Sequence, residues 1–360
     1  MAKLGDVCHK AASNIAQKDL SGHDGIYPIY GASGFIQNVD FYQQEEPYIA
    51  VVKDGAGVGR VMKLPAKSSV IGTMQYIIPN HTVDIGYLAY AMEFMNLAKY
   101  YTGATIPHIY FKDYQNERLP LPSLEEQRRI AALLDKVTDL IAKRRAQLDK
   151  LDLLVKARFI EMFDNNSEKV LLSDVAEVTG GLTKNSKRKD LPLKLPYLRV
   201  ANVFFDAIDT NEILEIGLTE EERRKTLLQN GDLLFVEGNG SPEQIGRVAV
   251  WQDQIVPCVH QNHIIKARFN KEKMLPTYAM NYFMTEVGRE QIKSKAVSTS
   301  GLYTLSVSKI ESLCIPCAPM FKQLQFVEFK GKIDKWKITL TRSAKNLEIL
   351  KKALMQQYFG

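Results

Sequence analysis

The chain has 360 residues, of which 45% are hydrophobic and 24% charged. That length predicts two or three domains, each able to bury its own core, and the composition excludes a mainly disordered, collagen-like or wholly coiled-coil polypeptide. The net charge of +6 points to an acidic partner without naming one.

Cys8, Cys258, Cys314 and Cys317 are too few and too scattered for a disulfide framework, which fits a reducing compartment. The start lacks a basic-then-apolar leader pattern, and nowhere do about 18 apolar residues run together. The expectation is a soluble, cytoplasmic protein.

In chain order, the apolar runs at residues 48–53 and 70–78 predict strands, and 87–97 predicts a helix. Between the first two runs, residues 53–60 read Lys-Asp-Gly-Ala-Gly-Val-Gly-Arg. Alternating glycines let a backbone approach phosphate, but no Gly-Lys-Ser/Thr closes the string and a strand rather than a helix comes after it. A plain turn and a loop offering Lys53 and Arg60 to DNA both remain open.

Pro120, Pro122 and Ser123 then stop a strand and cap a helix whose first turn carries Glu125 and Glu126. Ile130, Leu134, Val137, Ile141, Leu148, Leu151 and Val155 follow at alternating steps of three and four, broken at Arg144. A helix over 124–162 would be about 58 Å long.

After it, the loop Lys184, Asn185, Ser186, Lys187, Arg188, Lys189 predicts either DNA contact or simple solubility. Runs at 232–236 and 247–251 predict strands, and 278–293 a helix. Cys258, His260 and His263 have ligand-like spacing but lack companions, so an alternating strand is the better reading; Gln261 and Asn262 beside them have the chemistry to read adenine. Cys314 and Cys317 have redox spacing but fall at an expected strand-to-helix link. A second long helix comes next, with Phe329, Ile333, Trp336, Leu340, Leu347, Leu350 and Leu354 as its seam. Residues 319–360 hold nine Lys or Arg against three acids, which fits either a DNA-facing helix or a solvated one.

These elements repeat. Residues 120–164 align on 316–360 at a constant offset of 196, with identities that include Pro120/Pro316, Gln127/Gln323, Leu151/Leu347 and Phe163/Phe359. Ahead of each helix, residues 4–7 resemble 172–175, Gly59-Arg60-Val61 recurs as Gly246-Arg247-Val248, and Gln75 with Ile77 and Ile78 answers Gln261 with Ile264 and Ile265. The order is globular unit, long helix, globular unit, long helix, an α+β chain in which two seams can bury each other.

The stretch Leu119-Pro-Leu-Pro-Ser-Leu-Glu-Glu-Gln-Arg-Arg-Ile-Ala-Ala-Leu-Leu-Asp-Lys-Val closely resembles the spacer region of type I restriction-modification specificity subunits. In the second copy, residues 317–322 depart from the Pro-x-x-Glu-Glu pattern and only Gln323 survives. The resemblance implies two pseudo-repeated mixed α/β target recognition domains, 1–118 and 165–312. Spacer helices at 119–164 and 313–360 would join them and pair as an antiparallel coiled coil. It further implies a non-catalytic subunit that recognises a bipartite DNA target and docks two adenine methyltransferase subunits. Through these it would meet a restriction and translocation subunit, with S-adenosylmethionine, ATP and Mg on the partners and no cofactor or metal of its own. A tandem DNA-binding regulator acting without a methyltransferase is the rival reading.

The chain lacks a cofactor-binding glycine loop opening a helix and an Asn/Asp-Pro-Pro-aromatic motif, so methyl transfer is not expected of it. Glu328 and Lys330 have nuclease-like spacing but no upstream Pro-Asp, and read as helix surface. Loop placement and polar chemistry nominate Lys53, Arg60, Gln75, Tyr76, Lys184, Asn185, Lys187, Arg188, Lys189, Asn239, Arg247, Gln261 and Asn262 for DNA. Gln127 and the two seams are nominated for pairing and subunit docking.

Overall fold

In a computed structural model, which describes residues 1–103, 105–163, 168–299 and 301–360, the chain divides into two compact units. The first comprises Met1–Gln147 with Leu340–Gly360, the second Leu148–Thr339, so the division falls within both long helices. The expected boundary between residues 164 and 165 lies outside the described residues.

The first unit contains β1 (Cys8–Ala12), β2 (Tyr27–Gly31), β3 (Gly34–Val39), β4 (Tyr48–Val52), β5 (Val61–Leu64), β6 (Ser69–Val70), β7 (Met74–Pro79) and α1 (Ile85–Phe94). Strands β1, β7, β4 and β5 form an antiparallel sheet in that order, and β3, β2 and β6 a smaller one in which β2 and β6 run parallel. All five residues of β4 are buried, as expected of a strand covered on both faces. The run 70–78 is not one strand: its two ends serve different sheets, and the chain crosses between them at Gly72 and Thr73. Then α2 (Leu124–Met162) begins and ends where the spacing predicts.

The second unit repeats this plan with β8 (Ala176–Gly180), β9 (Leu193–Leu198), β10 (Leu214–Leu218), β11 (Leu233–Val236), β12 (Val248–Val250), β13 (Val259–His260), β14 (Ile264–Phe269) and α3 (Pro276–Met284). Its sheets order as β8, β14, β11, β12 and as β10, β9, β13, again with the outer short strand parallel. Register fixes the equivalences: Val52 pairs with Met74 as Val236 pairs with Ile264. Met74 therefore answers Ile264, and the sequence match of Gln75 to Gln261 is out of step. The expected helix over 278–293 is two helices, broken at Thr285, whose hydroxyl caps the second by accepting from Gly288 N at 3.2 Å. Among the described residues, no helix is long and apolar enough to cross a membrane.

The last helix, α4, spans Met320–Phe359. Within the first unit its end packs antiparallel on the beginning of α2: Met355 and Phe359 share a core with Ile130, Leu134, Tyr87 and Leu88, and Arg145 meets Glu348 at 2.6 Å. Within the second unit, Phe326 and Ile333 share a core with Val155 and Phe159, and Lys337 meets Asp152 at 2.6 Å.

The seam of α2 is as expected, with Ile130, Leu134, Val137, Ile141 and Val155 buried and Leu148 and Leu151 half-buried. The seam of α4 needs correction. Ile333 is buried, and Phe329, Leu340, Leu347 and Leu354 are half-buried, but Trp336 is 61% and Leu350 45% exposed. Their places are taken by Lys330, Lys337, Ala344 and Lys351. Each of these lysines buries its stem while its ammonium finds a carboxylate: Lys330 with Asp206 at 2.9 Å and Asp334 at 2.8 Å, Lys337 with Asp152, and Lys351 with Glu93 at 2.9 Å. Burial alone would lower the Lys330 pKa, but the two carboxylates outweigh it and the group is held above its ordinary value. These basic residues of α4 therefore face protein, so the helix charge is not all available to DNA. Glu328 stays on the surface, paired with Lys332, while Lys330 does not.

Candidate nucleic-acid interface

In each unit, the same end of the four-stranded sheet gathers the loops. In the first these are the segment after β1, the β4–β5 hairpin, the β6–β7 crossing and residues 101–103 and 105–110. In the second they are the segment after β8, the β11–β12 connection, residues 261–263 and a three-stranded ribbon of Gly238–Asn239, Leu302–Thr304 and Val297–Thr299.

The glycine string is the β4–β5 hairpin. Gly59 has φ +84°, and a Cβ there would stand 2.4 Å from the Ala98 nitrogen; at its repeat, Gly246, φ is +61° and a Cβ would meet Ile292 at 2.4 Å. The glycines thus permit a left-handed turn against a neighbouring segment. The next residue in each unit is an arginine with a repeated bond: Arg60 Nη1 donates to Ala32 O at 2.7 Å and Arg247 Nη2 to Val200 O at 3.1 Å, both carbonyls lying just past the first strand of the smaller sheet. Arg60 remains exposed. Arg247 is half-buried, with its guanidinium 5.4 Å from the Phe204 ring centroid.

Lys53 is half-buried and paired with Asp54. Asp54 also accepts His108 Nδ1 at 2.7 Å. Partial burial works to raise the Asp54 pKa, but the bonds from His108 and Lys53 prevail and hold the carboxyl below the usual range. Backbone bonds strap His108 into place, with Thr102 in both directions at 2.8 Å, Gly55 N to Pro107 O at 2.9 Å and Ile109 N to Lys53 O at 2.9 Å.

In the second unit Lys184, Asn185, Lys187 and Lys189 are exposed after β8, and none of the three lysines forms an ion pair among the described residues. Asn239, Gln261 and Asn262 are half-buried at the same end. Asn239 accepts from Ser241 N at 2.9 Å, which shapes its turn. His263, exposed beside them, bonds Glu237 Oε2 through Nδ1 at 3.0 Å, and Glu237 N donates to His263 O at 2.9 Å.

Four nominated residues do other work. Gln75 is 5% exposed and donates to the Tyr114 hydroxyl, and Tyr76 is fully buried, with its hydroxyl bonded to Val70 N and Gln43; both sit inside the sheet instead of facing a ligand. Arg188, alone in its basic loop, turns inward. It makes a bidentate pair with Glu222 at 2.7 and 3.0 Å and donates to Gly217 O at 3.0 Å, and its guanidinium holds the Glu222 pKa down at about 2. Gln127 is wholly buried and binds its helix to its own unit, so it is not a docking residue.

Cys258 and His260 are buried while His263 is exposed on Glu237, so the three do not converge. Among the described residues no group of three or more His, Cys, Asp or Glu is placed to hold a metal. Sequence reasoning missed His108 altogether, because its partner Asp54 lies far back in the chain inside what reads as a glycine turn.

The sequence model of the family described as type I restriction modification DNA specificity domain matches residues 1–151 and 165–351. The chain belongs to this family. A relative within it, the type I restriction enzyme EcoKI specificity subunit of Escherichia coli strain K12, is 25% identical over 268 residues, covering 68% of this chain and 56% of that protein. The chain thus spans little more than half of that curated relative. The crystal structure of a type I restriction-modification S subunit from M. genitalium is similar at TM-score 0.62 and 14% identity, over 100% of this chain and 95% of that one. A chain from a structure titled for complex assembly and conformational transition of the type I R-M system has TM-score 0.57 and 15% identity, over 99% and 96%. At these identities the likeness speaks for a shared specificity-subunit fold, with two mixed units and paired long helices.

Proposed function

We propose that this chain is the DNA sequence-specificity subunit of a type I restriction-modification complex, recognising a split target with one unit per half-site. The observation that carries the reading is the duplication: one scaffold occurs twice, and the same loop end carries different polar residues each time. A repeated frame with unlike loops suits an asymmetric bipartite sequence, with base contacts supplying specificity and lysines holding phosphate. In the first unit the exposed Arg60 and in the second Lys184, Asn185, Lys187 and Lys189 are the DNA-facing candidates, with Gln261 and Asn262 suited to adenine.

The chain is non-catalytic in this reading. It docks two adenine methyltransferase subunits, and through them a restriction and translocation subunit, on the outer faces of α2 and α4. S-adenosylmethionine, ATP and Mg belong to those partners.

Co-expression with a type I methyltransferase subunit, in a host free of adenine methylation, tests this. Methylation at a split, asymmetric motif is expected only when both chains are present. Methyl incorporation or cleavage by the purified chain alone would overturn the non-catalytic assignment. DNA binding without any methylation in the pair would favour the regulator.

A further inference from the structure

Among the described residues, each unit holds one histidine at its loop end that is fastened through Nδ1 to a carboxylate and has no hydrogen-bond partner at the other ring nitrogen. His108 is 38% exposed on Asp54, and His263 is 52% exposed on Glu237. The two are not sequence equivalents. His108 arrives on the segment 105–110, whereas His263 lies in the turn before β14, yet both reach the end where Lys53 or Asn262 stands. In the first unit, a third pair, His23 with Asp40 at 2.9 Å, lies at the far end of the β2–β3 hairpin, away from its turn at Ala32 where Arg60 binds.

We propose that His108 and His263 are base-reading residues, one for each half-site, that accept a hydrogen bond through Nε2 from the exocyclic amine of adenine or cytosine in the major groove. This rests on the DNA-specificity reading above and deepens it.

The argument is one of tautomers. A carboxylate accepts only, so in the neutral ring the proton must sit on Nδ1, and Nε2 is left as a bare acceptor. Adenine N6 and cytosine N4 are the major-groove donors, whereas guanine and thymine present acceptors at the corresponding edge. A ring fixed in this way discriminates by repulsion of lone pairs as well as by attraction. The carboxylate also fixes orientation, and in His108 the strapped backbone leaves the ring little freedom to follow a wrong base. Glu237 and Asp54 are positioning residues on this view, since they act through the ring and do not meet DNA.

The test uses His108→Asn and His263→Asn, each in the complex with its methyltransferase subunit, with methylated motifs mapped by sequencing. An asparagine amide stands in for Nδ1 and keeps the bond to Asp54 or Glu237, while nothing replaces Nε2. Each variant should lose about tenfold in discrimination at a single position of one half-site, a different half for each, with the other half intact. His23→Asn should leave the motif unchanged. An unchanged motif in both main variants, equal blurring of both halves, or complete loss of methylation at an unchanged Tm would overturn the proposal. If an asparagine variant fails to fold, the glutamine variant, which reaches the Nε2 position, is read by the same criterion: an altered base at one position supports the assignment and an unaltered motif refutes it. A wild-type complex that methylates no split motif would refute the underlying reading instead.

Discussion

Gln127 does in one unit what Gln323 does in the other. Gln127 Oε1 accepts Asp84 N at 2.8 Å and its Nε2 donates to Pro122 O at 2.8 Å; Gln323 Oε1 accepts Leu275 N at 2.8 Å and its Nε2 donates to Ala318 O at 2.8 Å. Asp84 and Leu275 are the residues just before α1 and α3, and both carbonyls lie five residues before the glutamine. Tyr87 and Tyr278 add a second repeated fastening, each hydroxyl donating at 2.9 Å, to Pro120 O and Pro316 O. In each unit the short helix is thereby bound to the start of the long one.

Both glutamines are wholly buried, so replacing either by alanine strands an N–H and a carbonyl away from water. Gln127→Ala and Gln323→Ala should each destabilise by about 1–3 kcal/mol. Urea unfolding monitored by circular dichroism measures it, and a midpoint unchanged in both would show that the bonds are dispensable.

The register of α4 makes a sharper prediction. Trp336→Asp and Leu350→Asp add charge at exposed positions and should shift stability by less than about 0.5 kcal/mol. Ala344→Asp and Ile333→Asp would bury an unpaired carboxylate, at a cost of about 3 kcal/mol or more, or loss of the fold. The same unfolding measurement on the four variants decides it. Equal penalties at Trp336 and Ala344 would restore the apolar spacing as the seam.

That error shows what the sequence could tell. Long helix, repeat and paired architecture were legible because apolar residues at steps of three and four leave a trace that survives substitution. The face of α4 was not, because Lys330, Lys337 and Lys351 are held against the protein by carboxylates of which only Asp334 is near in sequence, while Trp336 and Leu350 stay outside. The same limit applies at the site. Lys184 and Lys187 were legible as exposed charge in a polar loop, but nothing local distinguishes Arg188, whose partner Glu222 lies in a later helix, or ties His108 to Asp54.

His260 supplies a pH prediction. It is fully buried, with Nδ1 bonded to Ile264 O at 2.9 Å and Nε2 without a partner among the described residues, and burial, aided by the nearby Lys266 ammonium, pushes its pKa from 6.5 down to about 4. Between those values the unfolded chain binds the proton and the folded chain does not, so stability is full above pH 6.5 and falls as pH drops toward 4. His260→Asn keeps an amide donor at the Nδ1 position for Ile264 O and has no titration. Its unfolding free energy should fall less than that of the wild type between pH 7 and pH 4, by about 2–3 kcal/mol. Parallel curves would mean that His260 keeps its ordinary pKa in the fold.

Modular readout is the last prediction, and the structure sets its terms. Exchanging residues 1–118 for the equivalent segment of another specificity subunit should change one half of the methylated motif and leave the other half intact, because the second unit takes none of its residues from that segment. The exchange is not free of α4. Tyr87 packs tilted against Phe359 at 5.0 Å between centroids, Glu93 pairs with Lys351, and Asp84 N binds Gln127, so the donor segment must supply a matching ring, acid and helix start. A donor lacking them should give an unstable first unit; restoring the two side chains and the helix start, or exchanging residues 340–360 along with the segment, should recover methylation with the new half-site. Motif sequencing with Tm measured in parallel tests both statements. If the half-site belonging to the second unit also changes in a stably folded exchange, the two units read DNA jointly and the one-unit, one-half-site assignment is wrong.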